Sequence, residues 1–217
     1  MSMQAGVLPS GGEASATAEP METRRVSTLE LPRDAAELER SLTLRDGSVL
    51  RMRAIRADDA QRLQAFHARL SPQSIVFRFF GAVSELSDHE AVRLSHVDYE
   101  HSMAVVATSE AGAEELINAV VRYQRTEAEV AEIALAVEDR WQGQGIGTQM
   151  LWALAAYACH RGLTTMVAEV MYHNERMLAL LNHSGFPTTF HMNESAIVGR
   201  LDISGLCCQH PSGAATR

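Results

Sequence analysis

The 217-residue chain predicts an α+β fold, with a central mixed, mostly antiparallel sheet flanked by helices. Three observations predict it. Short alternating apolar runs recur between segments of helical periodicity. Three strand-like runs between residues 103 and 137 follow one another across short polar connections, as in an antiparallel meander. The last of them, Val130 to Val137, then leads through a glycine-rich turn into an amphipathic segment in which Ile146, Met150, Leu151, Leu154, Ala155 and Ala158 recur at helical spacing. With 46% hydrophobic and 21% charged residues, the chain has the make-up of one globular domain with a buried core.

Taken in order, residues 1–34 form a disordered tail. The first twenty are rich in Gly, Ser, Ala, Pro and Glu and hold no apolar targeting core. The domain occupies 35–204 and a flexible tail 205–217. Residues 35–40 form a short helix, and the runs 42–45 and 49–55 pair across the turn signal Asp46-Gly47. Asp58-Asp59 cap a helix whose core stripe is Ala60, Leu63, Phe66, His67 and Leu70, with His67 a packed or surface histidine rather than a ligand, and Ser71-Pro72 ends it. The aromatic stretch 74–81 reads as core packing under a loop, with a substrate-facing wall as the alternative. Ser87 and Glu90 open a further helix. Strands 103–108 and 117–125 join through Glu110 to Ala113. After the glycine-turn helix, which stops at His160 to Leu163, come strand 164–172, helix 174–186 and strands 187–191 and 195–203.

Composition excludes several classes. A net charge of −8 argues against a nucleic-acid groove, which needs a clustered basic face. No apolar run approaches the roughly 20 residues of a membrane span, so the protein is expected in the cytoplasm. Cys159, Cys207 and Cys208 have no metal-ligand spacing. They read as structural or surface thiols, with no metal and no disulfide.

The stretch Asp139 to Met150 carries the chemistry. Gly143, Gly145 and Gly147 remove β-carbons from a concave turn and permit positive φ, and the following helix aims its positive end into the hollow. The turn reads as a pyrophosphate cradle. A dinucleotide fingerprint would need glycine where Thr148 stands, and a P-loop would need a lysine that the turn lacks. Glu138 and Asp139 would repel pyrophosphate and are expected to point outward. Arg140 is either a phosphate neighbour or exposed.

What fits is Gln/Arg-x-x-Gly-x-Gly, at Gln142, Gly145 and Gly147, and here the sequence resembles the GNAT family of N-acetyltransferases. The stretch Arg51 to Phe80, His96-Val97-Asp98-Tyr99 and Ala131-Glu132-Ile133-Ala134 resemble, within it, the Pat-type protein lysine acetyltransferases. The resemblance spans about Thr43 to Ile203. It implies the GNAT fold, with splayed strands admitting acetyl-CoA as acyl donor. Backbone groups of Gln142, Gly143, Gln144, Gly145, Ile146, Gly147 and Thr148 would hold the pyrophosphate. Strand groups of Leu135, Ala136 and Val137 would hold the pantetheine, and Asn174 and Met177 would touch the same cosubstrate.

Acyl transfer to an amine also needs a base, because presenting an amine of pKa near 10.4 as neutral at pH 7.5 costs roughly 4 kcal/mol. Glu132 shares a strand face with Ala134 and Ala136, which leaves a slot beside it, and burial there would make it more basic. Spacing alone equally allows a glutamate facing water. The resemblance implies the base. It also brings a departure, since many relatives carry a tyrosine acid where this chain has Leu181, and Tyr172 reads as packing. The implied acceptor is a protein lysine, on an acyl-CoA synthetase by analogy with the Pat type. A small-molecule amine and a non-catalytic acetyl-CoA sensor stay open, as do monomer and homodimer.

Overall fold

The computed structural model describes residues 34–112 and 114–207, and of the tails expected at 1–34 and 205–217 all but residues 34 and 205–207 lie outside them. Eight strands form one sheet in the order β1-β2-β3-β4-β5-β6-β8-β7. β1 (Arg40–Thr43) and β2 (Val49–Ala54) make the expected hairpin, closed by Gly47 at φ 85° and by Ser48 N donating to Asp46 Oδ1 (2.9 Å). Then come α1 (Ala60–Ala68), α2 (Pro72–Phe79) and α3 (Asp88–Ser95), followed by the meander β3 (Ser102–Ala111), β4 (Glu114–Arg125) and β5 (Val130–Val137). The second half runs α4 (Ile146–His160), β6 (Thr165–Val170), α5 (Glu175–Asn182), β7 (Thr188–Met192), β8 (Ile197–Asp202) and α6 (Ser204–Cys207).

Alternation along the strands divides the core in two. Met103, Val105, Val121, Tyr123, Ala131 and Ile133 face α4, while Ala104, Val106, Val120 and Ala136 face α1 and α3. All neighbouring strands pair antiparallel except β5 and β6, which are parallel and pair only through Val130↔Thr165, Ala131↔Met166 and Glu132↔Val167. Beyond Glu132 the two strands part.

Three features were not legible in sequence. The aromatic stretch 74–81 is the helix α2, started by Ser71 Oγ accepting from Ser74 N (3.2 Å) with Pro72 in the first turn, and none of its residues is fully buried. It is a wall rather than core. β4 carries a bulge: Ala107 faces Ala119 but Thr108 faces Ile117, which leaves Asn118 unpaired and fully buried. Asp59 does not cap α1, because its carboxylate is taken by Arg53 Nη1 (2.7 Å) and Nη2 (2.8 Å) and by Arg56 N (2.8 Å).

Two corrections concern the C-terminus. Residues 205–207, expected in the flexible tail, belong to α6, where Leu206 is buried against α4. Cys159 and Cys207, expected as thiols, are joined in a disulfide with Cα atoms 5.5 Å apart. Spacing could not show this, since 48 residues of chain separate them and the fold alone brings them together.

Candidate active site

The turn after β5 is held from behind. Glu138 is not turned outward as expected. It is buried between Arg69 Nε (3.0 Å) and Arg140 Nε (2.8 Å), and its own N–H donates to the carbonyl of bulged Asn118 (2.9 Å). Asp139 is exposed but engaged, accepting from Ser71 N (2.9 Å), Ser71 Oγ (2.7 Å) and Ser74 Oγ (2.9 Å). Burial pushes its carboxyl up, but these hydrogen bonds outweigh that and hold it below the ordinary carboxylate range. Gln142 Nε2 donates to Val137 O (2.9 Å) and Ser74 Oγ (3.2 Å). Both acids are thus bound to the α1–α2 corner, and neither is free to oppose an anion in front of the turn.

In front, the turn is open. Gly143 (φ 78°) and Gly145 (φ 87°) adopt backbone that other residues resist. A β-carbon at Gly143 would meet nothing within 4 Å, and at Gly145 only Arg45 Nε at 3.9 Å. Gly145 is the N-cap of α4 and no side chain caps the helix, so the first N–H groups of a 15-residue helix face the hollow without an internal partner. Gly147 plays a different part from the one expected. It lies inside the first turn of α4, and a β-carbon there would come 2.5 Å from Leu180 Cδ1. Its missing side chain lets α5 pack against α4.

Two cations flank this hollow from distant segments. Arg45, beside the β1–β2 turn, donates from Nη1 to Gly143 O (3.3 Å), and Arg176 donates from Nη1 to Gln142 Oε1. Neither stands out in the sequence; Arg140, expected either beside the phosphate or exposed, is exposed and pairs with Glu138 and the Asn118 side chain. One signal existed for Arg176: a cation in the first turn of a helix opposes the helix dipole, so it needs another reason to be there. For Arg45 there was none, because 98 residues separate it from its partner.

The parted strands open a cleft of ≈ 230 Å³ lined by Phe77, Arg78, Phe79, Phe80, Glu132, Ile133, Ala134, Leu135, Glu169, Asn174 and Met177. Four residues singled out from sequence therefore meet: Glu132, Leu135, Asn174 and Met177. Ala136 does not line the cleft, being buried toward α1 and α3, and the Val137 carbonyl is taken by Gln142. Asn174 Oδ1 accepts from Met177 N (3.1 Å) as the N-cap of α5, which leaves its amide Nδ2 without a partner among the described residues.

Glu132 shares its face with Ala134 and Ala136 as expected, but it is exposed rather than buried. Arg78 lies over the Phe79 ring (5.0 Å) and forms no ion pair among the described residues; burial lowers its pKa against the attraction of Glu132. Burial, then Arg78 and Arg93, push Arg122 down to about 10. His67 is buried, packed on Phe79 with ring centroids 5.4 Å apart, and burial lowers its pKa. Tyr172 donates its hydroxyl to Asn193 O, and Leu181 is buried in the core. Among the described residues, no cluster of His, Cys, Asp and Glu has the make-up of a metal site, and no helix is long and apolar enough to cross a membrane.

A mixed sheet split at its one parallel pair, with an uncapped glycine-turned helix at the split, defines the class of acetyl-CoA-dependent N-acetyltransferases. A sequence model described as the acetyltransferase (GNAT) family matches residues 74–186, and the chain belongs to that family. It is 31% identical over 145 residues to Acetyltransferase PA5475 of Pseudomonas aeruginosa, covering 66% of this chain and 78% of that relative. Among solved structures it is similar to the GNAT domain of S. lividans PAT, at 31% identity and a TM-score of 0.71, covering 77% of this chain and 98% of that one. It shares its fold with the PaiA N-acetyltransferase of Thermoplasma acidophilum, solved in complex with coenzyme A, at 14% identity and a TM-score of 0.55, covering 70% and 98%.

Proposed function

We propose that this chain transfers the acetyl group of acetyl-CoA to a lysine amine of an acceptor protein, by direct attack, with Glu132 as general base. One observation carries the reading: Glu132 stands at the last register pair before β5 and β6 part, in a cleft whose Leu135 side chain lies beside Gly147 in the first turn of α4.

The residues present fit the donor. Backbone N–H groups from Gly143 to Thr148 face an anion without competition from a side-chain cap, and Arg45 and Arg176 supply positive charge beside them. Gln142 acts at one remove, as a brace that fixes the turn to Val137 and Ser74. Leu135, Met177 and the free amide of Asn174 line the path of a pantetheine arm. Past Glu132, the β5 backbone groups aimed at β6 have lost their strand partners, and an N–H among them polarises the thioester carbonyl.

The proton passes from the acceptor ammonium to the Glu132 carboxylate, directly or through one water. The freed nitrogen lone pair forms the N–C bond, the C–S bond breaks with its electrons on sulfur, and the second proton leaving the nitrogen passes to that thiolate or to solvent. No phenol is assigned as general acid, since Tyr172 is committed to Asn193 O, and a thiol of pKa about 8.5 leaves without one. The donor's chemistry favours a cytoplasmic setting.

A protein lysine, of an acyl-CoA synthetase in the first instance, is supported by the likeness to S. lividans PAT over nearly all of that domain. The aromatic wall of Phe77, Phe79 and Phe80 favours a second reading, a small amine held in the cleft. Incubation with labelled acetyl-CoA and a panel of acyl-CoA synthetases and small amines decides between them. Label on a synthetase lysine alone supports the first reading; label on free amines alone supports the second. Tight acetyl-CoA binding with no labelled acceptor would indicate a sensor.

A further inference from the structure

The cleft holds a second carboxylate that the transfer step does not use. Glu169 is two residues beyond Val167, the residue that faces Glu132 in the last pair between β5 and β6. Side chains alternate along a strand, so Glu169, Val167 and Glu132 share one face; Met166, Ala168 and Val170, on the other, are buried toward α4. Strand geometry puts the Cα atoms of the two glutamates roughly 8 Å apart across the opening. Both side chains line the same cleft, and neither has a hydrogen bond or ion pair among the described residues. Arg200 is the nearest cation by register, facing Val167 from β8, yet it forms no ion pair with Glu169.

Charge decides what such a cleft attracts. Its lining includes one guanidinium, Arg78, which is drawn to Glu132. With those two alone the cleft would be neutral, and an incoming ammonium would meet attraction from one and repulsion from the other at similar range. Glu169 makes the lining net negative. It does so on the strand across the gap from Glu132.

We propose that Glu169 is the docking group for the acceptor: it holds the alkylammonium at the parted strands until Glu132 takes its proton. This inference rests on the acyl-transfer reading and deepens it, because it specifies the acceptor as a cationic primary amine on an alkyl arm. Glu169 forms no covalent bond; the first proton moves from nitrogen to Glu132, and the bonds made and broken are those already given.

The test uses the full chain with acetyl-CoA and two small acceptors, n-butylamine, cationic at pH 7.5, and methoxyamine, neutral there. Glu169→Gln is expected to raise the KM for n-butylamine ~10-fold, the scale of one charge-assisted hydrogen bond, with kcat within about 3-fold. It should leave the kinetics with methoxyamine and the Kd for acetyl-CoA unchanged, which also shows that the variant is folded. Glu169→Asp should recover part of the loss. An unchanged KM, an equal rise for both amines, or a synthetase lysine acetylated equally well by the variant overturns the docking role and leaves the proposed function standing. If the wild-type chain binds acetyl-CoA yet acetylates no amine and no protein lysine, the proposed function falls and the docking role with it.

Discussion

Glu132 faces Val167 in the last pair that β5 and β6 make, and the chain keeps its candidate base where the sheet stops being continuous. A carboxylate one pair earlier would sit over closed sheet, and one pair later it would lie where the strands have already diverged. Glu132→Gln keeps size and hydrogen bonding while removing basicity. Single-turnover acetyl transfer is expected to fall by ~10² or more, with acetyl-CoA affinity by calorimetry unchanged within about 3-fold. Retained transfer would remove Glu132 from the mechanism.

Arg45 and Arg176 reach the glycine turn from opposite ends of the fold, so their effects on the donor should be separable from catalysis. Arg176→Ala and Arg45→Ala are each expected to weaken acetyl-CoA binding by about 1–2 kcal/mol, roughly 5- to 30-fold, with a reduced dependence on salt. Binding of dephosphorylated pantetheine, which lacks the anion, should change little. Equal losses for both ligands would mean that the arginines merely support the turn.

Gly147→Ala acts on packing. The added methyl would stand 2.5 Å from Leu180 Cδ1, so α5 must shift or the leucine must leave its rotamer. The expected cost is about 1–3 kcal/mol of stability, read in urea denaturation. The companion Leu180→Ala should relieve part of it, and additive losses in the double variant would refute the contact.

Local chemistry explains which parts of this were legible in the sequence. Strand and helix order followed from periodicity, and the turn before α4 from two glycines whose positive φ few other residues tolerate. The bulge at Asn118 was hidden, because a single extra residue leaves alternation almost intact. Glu138 was misread because its neighbours in sequence suggested repulsion, whereas Arg69 in space neutralises it. Arg45, Arg78 and Glu169 belong to the site only through long-range folding, and no local pattern distinguishes them from surface charges. Stretch 74–81 was misjudged for the same reason: its aromatic residues resemble core, but they line a cleft that exists only because β5 and β6 diverge elsewhere.

Cys159 and Cys207 join the end of α4 to α6 and close a loop across 48 residues of sequence. Thiol titration of the unfolded oxidised protein should therefore find one cysteine, against three after reduction. Reduction should lower stability by about 2–4 kcal/mol. A reducing compartment would hold the pair open, so transfer should be assayed with both the oxidised and the reduced protein. Three titratable thiols in the oxidised protein would exclude the bond.

Arg53 is buried between two carboxylates, donating to Asp59 from Nη1 and Nη2 and to Glu115 from Nε (2.9 Å) and Nη2 (2.7 Å), and so ties β2 to the start of α1 and to β4. Its hydrogen bonds hold the Glu115 carboxyl down to about 2, despite partial burial. Burial pushes Asp59 up, but the Arg53 and Arg56 hydrogen bonds and the charges of Arg53 and Arg62 outweigh it, and Asp59 too lies below the ordinary range. A carboxyl whose pKa is depressed by folding stabilises the fold fully above its unfolded value and loses that contribution as pH falls through the folded value. Stability should therefore be level above about pH 5 and decline between about 4.5 and 2. Asp59→Asn leaves a buried guanidinium short of one negative charge and is expected to cost about 3–5 kcal/mol at neutral pH. Glu115→Gln, at a more accessible position, should cost less and flatten the acid limb of the profile. An acid limb unaltered by Glu115→Gln would place the acid sensitivity elsewhere.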